Sequence, residues 1–254
     1  MKKNVEIIPI KNKTGSHVGM ILSFMIFITF VVFVLVVLQP IIDTGEGRQT
    51  TLDDTETKIM NNVSANFTTA SINFEGVHNP GRACVTFESI LAILNIVPPY
   101  NVIIKNESGA VQDSYIYDPT FADIRVNRRI RNNVFFKLYE SSKFKALTVN
   151  TSLNCEGLNS TEYEIGSVYS GNYVFESSVR ELIHEYNTNY DNLKIELGLS
   201  PASEFAFTLT LSNGSILEAA KTIKAKNIYA QETPIQYVNS DANIQSGYII
   251  TKIW

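Results

Sequence analysis

The chain has 254 residues, 25 acidic against 21 basic side chains and a formal net charge of −4 at pH 7. The first 38 residues hold four Lys and one Glu, +3 in sum, so about −7 falls on the rest. An acid excess of that size favours solubility and argues against nucleic acid or anionic lipid as the main partner of the larger part.

The predicted elements begin with an apolar one. Residues 14–42 contain no Asp, Glu, Lys or Arg, and Val18–Leu38 is almost wholly Ile, Val, Leu, Phe and Met. At 1.5 Å per residue that centre makes a helix of roughly 31 Å, the thickness of a bilayer's hydrocarbon core. It is longer than a signal-peptide core and lacks a small-residue cleavage site at its exit, so it reads as an uncleaved anchor. Lys2, Lys3, Lys11 and Lys13 precede it, and Asp43, Glu46, Asp53 and Asp54 follow. The positive-inside rule then leaves the first residues in the cytoplasm and sends the remainder outside. The expected layout is a basic cytoplasmic segment over 1–17, a transmembrane helix with its outer interface over 18–42, a connector and membrane-proximal helix over 43–68, and an extracytoplasmic domain over 69–254. Pro40 is expected to end or kink the helix. Gly19 and Ser23, four apart, form the small-xxx-small spacing that lets membrane helices approach.

Leu52, Ile59, Val63 and Phe67 recur at seven, four and four residues behind Thr51, a candidate N-cap, and predict an amphipathic helix. From Thr69 the pattern turns to short strands. Residues 70–74 alternate; Val102–Ile104 runs into the turn Lys105–Gly109; residues 114–117 and 134–139 are rich in Tyr, Phe and Val. Residues 89–97 are apolar nearly throughout and fit a buried strand or a short helix, closed by Pro98-Pro99. A second helix is expected from Ser178, with Glu181 completing a capping box, and Val179, Ile183, Tyr186, Tyr190, Leu193 and Leu197 forming its stripe. Gly198 suits the residue after it and Pro201 prevents continuation. Phe205–Leu211 alternates into Asn213-Gly214, a hairpin turn. A last strand pair, 235–238 and 244–254, joins through residues 239–243. The fold class is therefore α+β: one apolar helix, then one mostly antiparallel β-rich domain with about two amphipathic helices, an alternative domain boundary lying near residues 159–170.

Cys84 and Cys155, the only two cysteines, both fall in the exterior part, where an oxidising environment lets them pair. Asn-x-Ser/Thr acceptors stand at Asn62, Asn66, Asn106, Asn150, Asn159 and Asn213, candidates for glycosylation. Arg125, Arg128, Arg129 and Arg131 concentrate positive charge, either as a solvated strand face or as a patch for an acidic neighbour or other anion. His17, His78 and His184 lack metal-ligand spacing, and the alternating oxygens of Asn239, Asp241 and Asn243 fit a hairpin turn better than a calcium loop. No phosphate loop or nucleophile elbow is present, so neither a catalytic residue nor a cofactor or metal is expected, and the chain reads as a non-enzyme.

The Lys-rich start, then Lys13-Thr14-Gly15-Ser16-His17-Val18-Gly19, then an unbroken apolar helix leading into a β-rich domain, resembles archaeal type IV pilin-like proteins over about residues 11–42. The resemblance implies processing between Gly15 and Ser16 and bundling of the helices of many subunits; where bacterial-type pilins carry Glu, this chain has Met20. The expected role is a structural or assembly subunit at the cell surface, whose partners are the lipid bilayer and itself or other membrane subunits. The alternative is a membrane-tethered binding or adhesion module whose small-molecule ligand, if any, the residues do not identify.

Overall fold

The computed structural model describes residues 15–74, 82, 84–127, 134–152, 154–222 and 227–254, with side chains from residue 17 and excluding those of 37–46. In chain order the elements are α1 (Gly15–Val63), β1 (Ser64–Phe74), β2 (Cys84–Phe87), α2 (Ile90–Ile93), β3 (Val102–Asn106), β4 (Val111–Gln112), β5 (Ser114–Ile116), β6 (Ile124–Asn127), β7 (Phe135–Glu140), β8 (Glu156–Leu158), β9 (Tyr163–Phe175), α3 (Glu176–Thr188), α4 (Tyr190–Glu196), β10 (Phe205–Thr210), β11 (Ile216–Ala219), β12 (Tyr229–Val238) and β13 (Ile244–Ile253). The class is α+β, with an apolar N-terminal helix and a large, mainly antiparallel β domain. Residues 51–254 form one compact unit and residues 1–50 another.

Three local expectations are corrected. The helix does not stop at Pro40 and restart at Thr51; α1 is helical from Gly15 to Val63, and the chain turns directly into β1 at Ser64, within the stretch expected to stay helical. A mid-helix proline costs about 3 kcal/mol and one donor, a local loss set against a hydrogen-bond ladder that continues on both sides. Thr51 is consequently no cap: its carbonyl accepts from the Thr55 hydroxyl at 2.7 Å. The second helix starts at Glu176 rather than Ser178, because β9 feeds into it through Phe175 without a loop and no side chain caps it. Ser178 is buried on the inner face with its hydroxyl unpartnered, while Glu176 meets Arg180 one turn on at 2.7 Å. The helix also breaks at Asn189 (φ −141°, ψ 43°). Its apolar stripe survives the break, with Tyr186, Tyr190, Leu193 and Leu197 all buried. Residues 89–97 resolve into the short helix α2 and turns.

Gly198, after α4, has φ +68°, the left-handed conformation that glycine adopts without steric cost. The hairpin at Asn213-Gly214 pairs β10 with β11 from Phe207↔Ala219 to Thr210↔Ile216, and Gly214 takes φ +80°. β10 alternates in sequence yet is buried along five of its six residues, because it lies inside the sheet between β11 and β13.

Nine strands form one sheet in the order β11-β10-β13-β12-β9-β1-β7-β3-β4, and four form a second, β5-β6-β2-β8. All pairings are antiparallel except β2 with β8 and β9 with β12. The apolar faces divide into two main cores. Leu52, Ile59 and Val63 of α1 join Val179, Leu182, Leu193, Phe205, Phe207 and Ile249 in a helix-on-sheet core. Ile72, Val85, Phe87, Ile104, Ile124, Phe136 and Leu138 fill a core fed by both sheets. A smaller cluster of Phe67, Phe144, Phe175, Val238 and Ala242 lies where β1, β9 and β12 meet.

Candidate interaction surface

In the apolar part of α1, His17–Val36, the structure covers none of the span. The large apolar side chains from Val18 to Val36 that face outward are 41–74% exposed. The one hydroxyl with described bonds, that of Thr29, returns to the carbonyls of Met25 and Ile26 at 3.0 and 2.9 Å. A Cβ added to Gly19 would meet nothing within 4 Å, so that helix surface is open to close approach. Gly15 is the first helical residue among those described.

Cys84 and Cys155 are bonded, tying the start of β2 to the residue before β8. Asn62 and Asn66 are exposed, on the last turn of α1 and on β1, as are Asn159 and Asn213. Asn106 is a correction: it is 4% exposed, and its carboxamide oxygen accepts from Ser108 Oγ at 2.8 Å and Ala110 N at 2.9 Å, so a sugar would have to open the β3–β4 turn. At Asn150, Asn159 and Asn213 the side-chain oxygen instead accepts both the N–H and the hydroxyl of the residue two on. At these three positions the Asn-x-Ser/Thr pattern builds an Asx turn, a role independent of any glycan.

At its first member the arginine run forms neither a solvated strand face nor an exposed patch. Arg125 is buried on β6, its guanidinium 3.6 Å from the Tyr117 ring centroid and its Nε donating to Thr86 Oγ1 at 3.3 Å. Guanidinium stacks on aromatic faces readily, and sequence gave no sign of which ring it would find. Arg128, Arg129 and Arg131 lie outside the described residues, as does His78. His17 and His184 are exposed. Among the described residues no group of three His, Cys, Asp or Glu side chains is placed to hold a metal ion.

Two polar clusters were invisible in the sequence. The Tyr190 hydroxyl donates to Glu204, which also pairs with Lys194 at 3.2 Å; Lys194 donates to the Pro201 carbonyl at 3.0 Å, and Lys221 sits 3.1 Å above the Tyr190 ring. Burial, then the Glu204 carboxylate, push the Tyr190 hydroxyl far above its ordinary pKa. Lys105, buried on β3, donates to Asn243 Oδ1 at 2.7 Å beneath the Tyr139 ring, 4.9 Å away, and burial lowers its pKa. Both clusters clasp distant loops. A cavity of about 330 Å³, lined by Tyr186, Tyr190, Asp191 and Lys221 among others, adjoins the first.

The feature with free valence is a fork in the large sheet. β9 pairs with β1 from Tyr163 to Val174, but on its other side it meets β12 only at Val174↔Tyr237 and Phe175↔Val238, in parallel. β12 in turn pairs with β13 along its whole length, Tyr229 to Val238. Upstream of that junction the two strands diverge and leave a cleft of about 490 Å³, lined by Tyr169, Gly171, Tyr173, Pro234, Ile235 and Gln236 among others. Signals for it existed in the uncharged run 165–175, but whether a strand lies inside or at an open edge is not written in its own residues. No family model, curated protein or solved structure matches the chain.

Proposed function

We propose that the protein is a single-pass membrane protein whose residues 51–254 stand outside the cytoplasm and serve as a subunit of a surface assembly, in the manner of a pilin-like protein. The observation that carries this is the uncovered apolar span His17–Val36. Its fourteen Val, Ile, Leu and Phe residues, at −0.3 to −0.6 kcal/mol each, favour insertion by roughly 4–8 kcal/mol. Lysines before it and carboxylates after it support an inside N-terminus. The bare surface at Gly19, with Ser23 one turn on, supports packing against another such helix.

The test is the behaviour of the full chain. Detergent should be required for extraction, N-terminal sequencing should find a start at Ser16 if the pilin-like processing operates, and Gly19→Leu with Ser23→Leu should reduce cross-linked oligomers in the membrane at least fivefold. A full chain that stays dispersed in buffer without detergent refutes the reading. An anchored chain whose oligomers ignore both substitutions refutes helix-driven assembly and leaves a tether.

A further inference from the structure

The open side of β9 runs from Glu164 to Tyr173 with no described strand paired to it. A strand edge exposes alternate N–H and C=O groups that only another extended chain satisfies fully, and folded proteins ordinarily guard such edges with charge, proline or bulges. Beyond Glu164 β9 lacks the first two: residues 165–175 contain no charged side chain and no proline. Its bulge lies between Ile165 and Val168, where the register shifts opposite Ala70–Ile72 and Gly166 leaves room for the Ser71 hydroxyl, so a pairing chain would have to follow that irregularity. From there Val168 is 54% and Tyr169 59% exposed although they point to opposite faces, so neither face of this stretch is covered. The facing strand β12 is guarded, since Pro234 has no N–H and pairs with Tyr248 across β13, which turns its nitrogen toward the cleft. One edge of the fork is closed to strand pairing and the other is open.

We propose that the open edge of β9 pairs antiparallel with the same edge of a second copy of this chain, about a two-fold axis at Val168. The proposal rests on the assembly reading above and names the surface through which the folded domains would join. Several properties of β9 make the second copy the fitting occupant. The two-fold sets Val168 against the partner's Val168, a β-branched cross-strand pair of the favourable kind. It sets Tyr169 against the partner's Ser167 and Ser170 against the partner's Gly166, small residues that leave room for the ring. The only carboxylate of the strand, Glu164, falls opposite the partner's Asn172, whose amide can donate to it, and the two carboxylates stay far apart. The exterior carries a net acidic charge, which repels a second copy; this edge has no charged side chain over residues 165–175. The overlap, Glu164–Asn172, ends before Val174 and Phe175, so the β9–β12 junction of each copy remains intact. Such an isologous contact closes on itself.

The described cysteines are both disulfide-bonded, so one added thiol reports cleanly. In the full chain in mild detergent, Val168→Cys should form a disulfide-linked dimer on oxidation at least tenfold above Ala230→Cys, placed on the guarded strand. Separately, Val168→Lys with Ser170→Lys should shift the dimer to monomer in light scattering, with an unchanged circular dichroism spectrum, whereas Gly19→Leu should leave this dimer in place. A Val168→Cys yield no greater than that of Ala230→Cys, or a full chain monomeric at 100 µM, overturns the proposal. Dimers lost with Gly19→Leu but kept with the lysine pair also overturn it while upholding the helix-driven reading.

Discussion

Breaking the Cys84–Cys155 bond should remove about 4 kcal/mol from the stability of the folded domain. The two residues are 71 apart in sequence. Cross-linking a loop of that size lowers the entropy of the unfolded chain by about 15 cal/mol/K in the loop-closure treatment, hence about 4 kcal/mol at 25 °C. The native side of the equilibrium has little to compensate with. β2 and β8 pair through only three residue pairs, Val85↔Glu156 to Phe87↔Leu158, in parallel, and the segment joining them is long. The comparison is urea unfolding of the full chain in detergent, followed by near-ultraviolet circular dichroism of the aromatic clusters, with Cys84→Ala/Cys155→Ala against the oxidised protein. With a slope of about 2 kcal/mol/M the midpoint should fall by roughly 2 M, and the melting temperature by roughly 8–16 °C for a domain of this size. Both cysteines are 7% exposed, so reductant should act slowly on the native protein and quickly in urea. A midpoint shift equivalent to less than 1 kcal/mol would refute the loop-closure reasoning, and two thiols alkylated in the unreduced, unfolded chain would refute the bond itself.

Phe67 has no exposed surface and touches four rings, Tyr139, Phe144, Tyr173 and Phe175, at centroid distances of 5.6–6.1 Å; Phe67→Ala should cost about 3–5 kcal/mol by chemical denaturation and Phe67→Leu less than half of that. Gly198→Ala should cost about 1–2 kcal/mol, since φ is positive and the new methyl would press on the Lys58 ammonium, which donates to the Leu197 carbonyl at 2.9 Å; an unchanged midpoint would contradict the assigned conformation. At Glu204 burial opposes ionisation, but hydrogen bonds from Tyr190 and Lys194 and the charges of Lys194 and Lys221 outweigh it, holding the carboxyl below its ordinary value of 4.5. A depressed folded-state pKa means the contribution is complete above about pH 4.5 and is lost as pH falls through the folded value. Unfolding midpoints measured from pH 6 to pH 2.5 should therefore fall more steeply for the wild type than for Glu204→Gln, and parallel curves would contradict the assignment.

Much of the domain was legible because the relevant physics is local. The alternation of Phe205–Leu211 before Asn213-Gly214 needs only strand period and turn chemistry, and β10 and β11 follow it. Gly198 after a helical stripe needs only the left-handed preference of glycine. The places where reading failed have a different cause. Ser178 satisfies the capping pattern, yet the β9 strand delivers the chain already aimed along α3, so the helix begins two residues earlier and buries the serine. Arg125 resembles its three charged neighbours in sequence, yet its position on β6, between β5 and β2, sends it to the Tyr117 ring. Asn106 carries the same three-residue pattern as Asn213, and only the depth of the turn separates a buried carboxamide from an exposed one.

The β9 edge extends that reasoning to function. Strand propensity is a property of a residue and its immediate neighbours, whereas an edge is defined by which strand is missing beside it. Here the missing neighbour follows from two long-range facts together: β12 meets β9 at only two residue pairs, and Pro234 prevents β12 from closing further along it, because a proline nitrogen cannot donate to an adjoining strand. Replacing that proline is therefore a second probe of the same surface. Pro234→Val restores a donor on the guarded side and, if β12 then zips along β9 toward Tyr169, the cleft closes and the edge that the second copy would use is taken within one molecule. The expected outcome is slower amide exchange at Ser170–Tyr173 and fewer dimers; faster exchange there, or dimers in undiminished yield, would show that Pro234 does not hold the fork open.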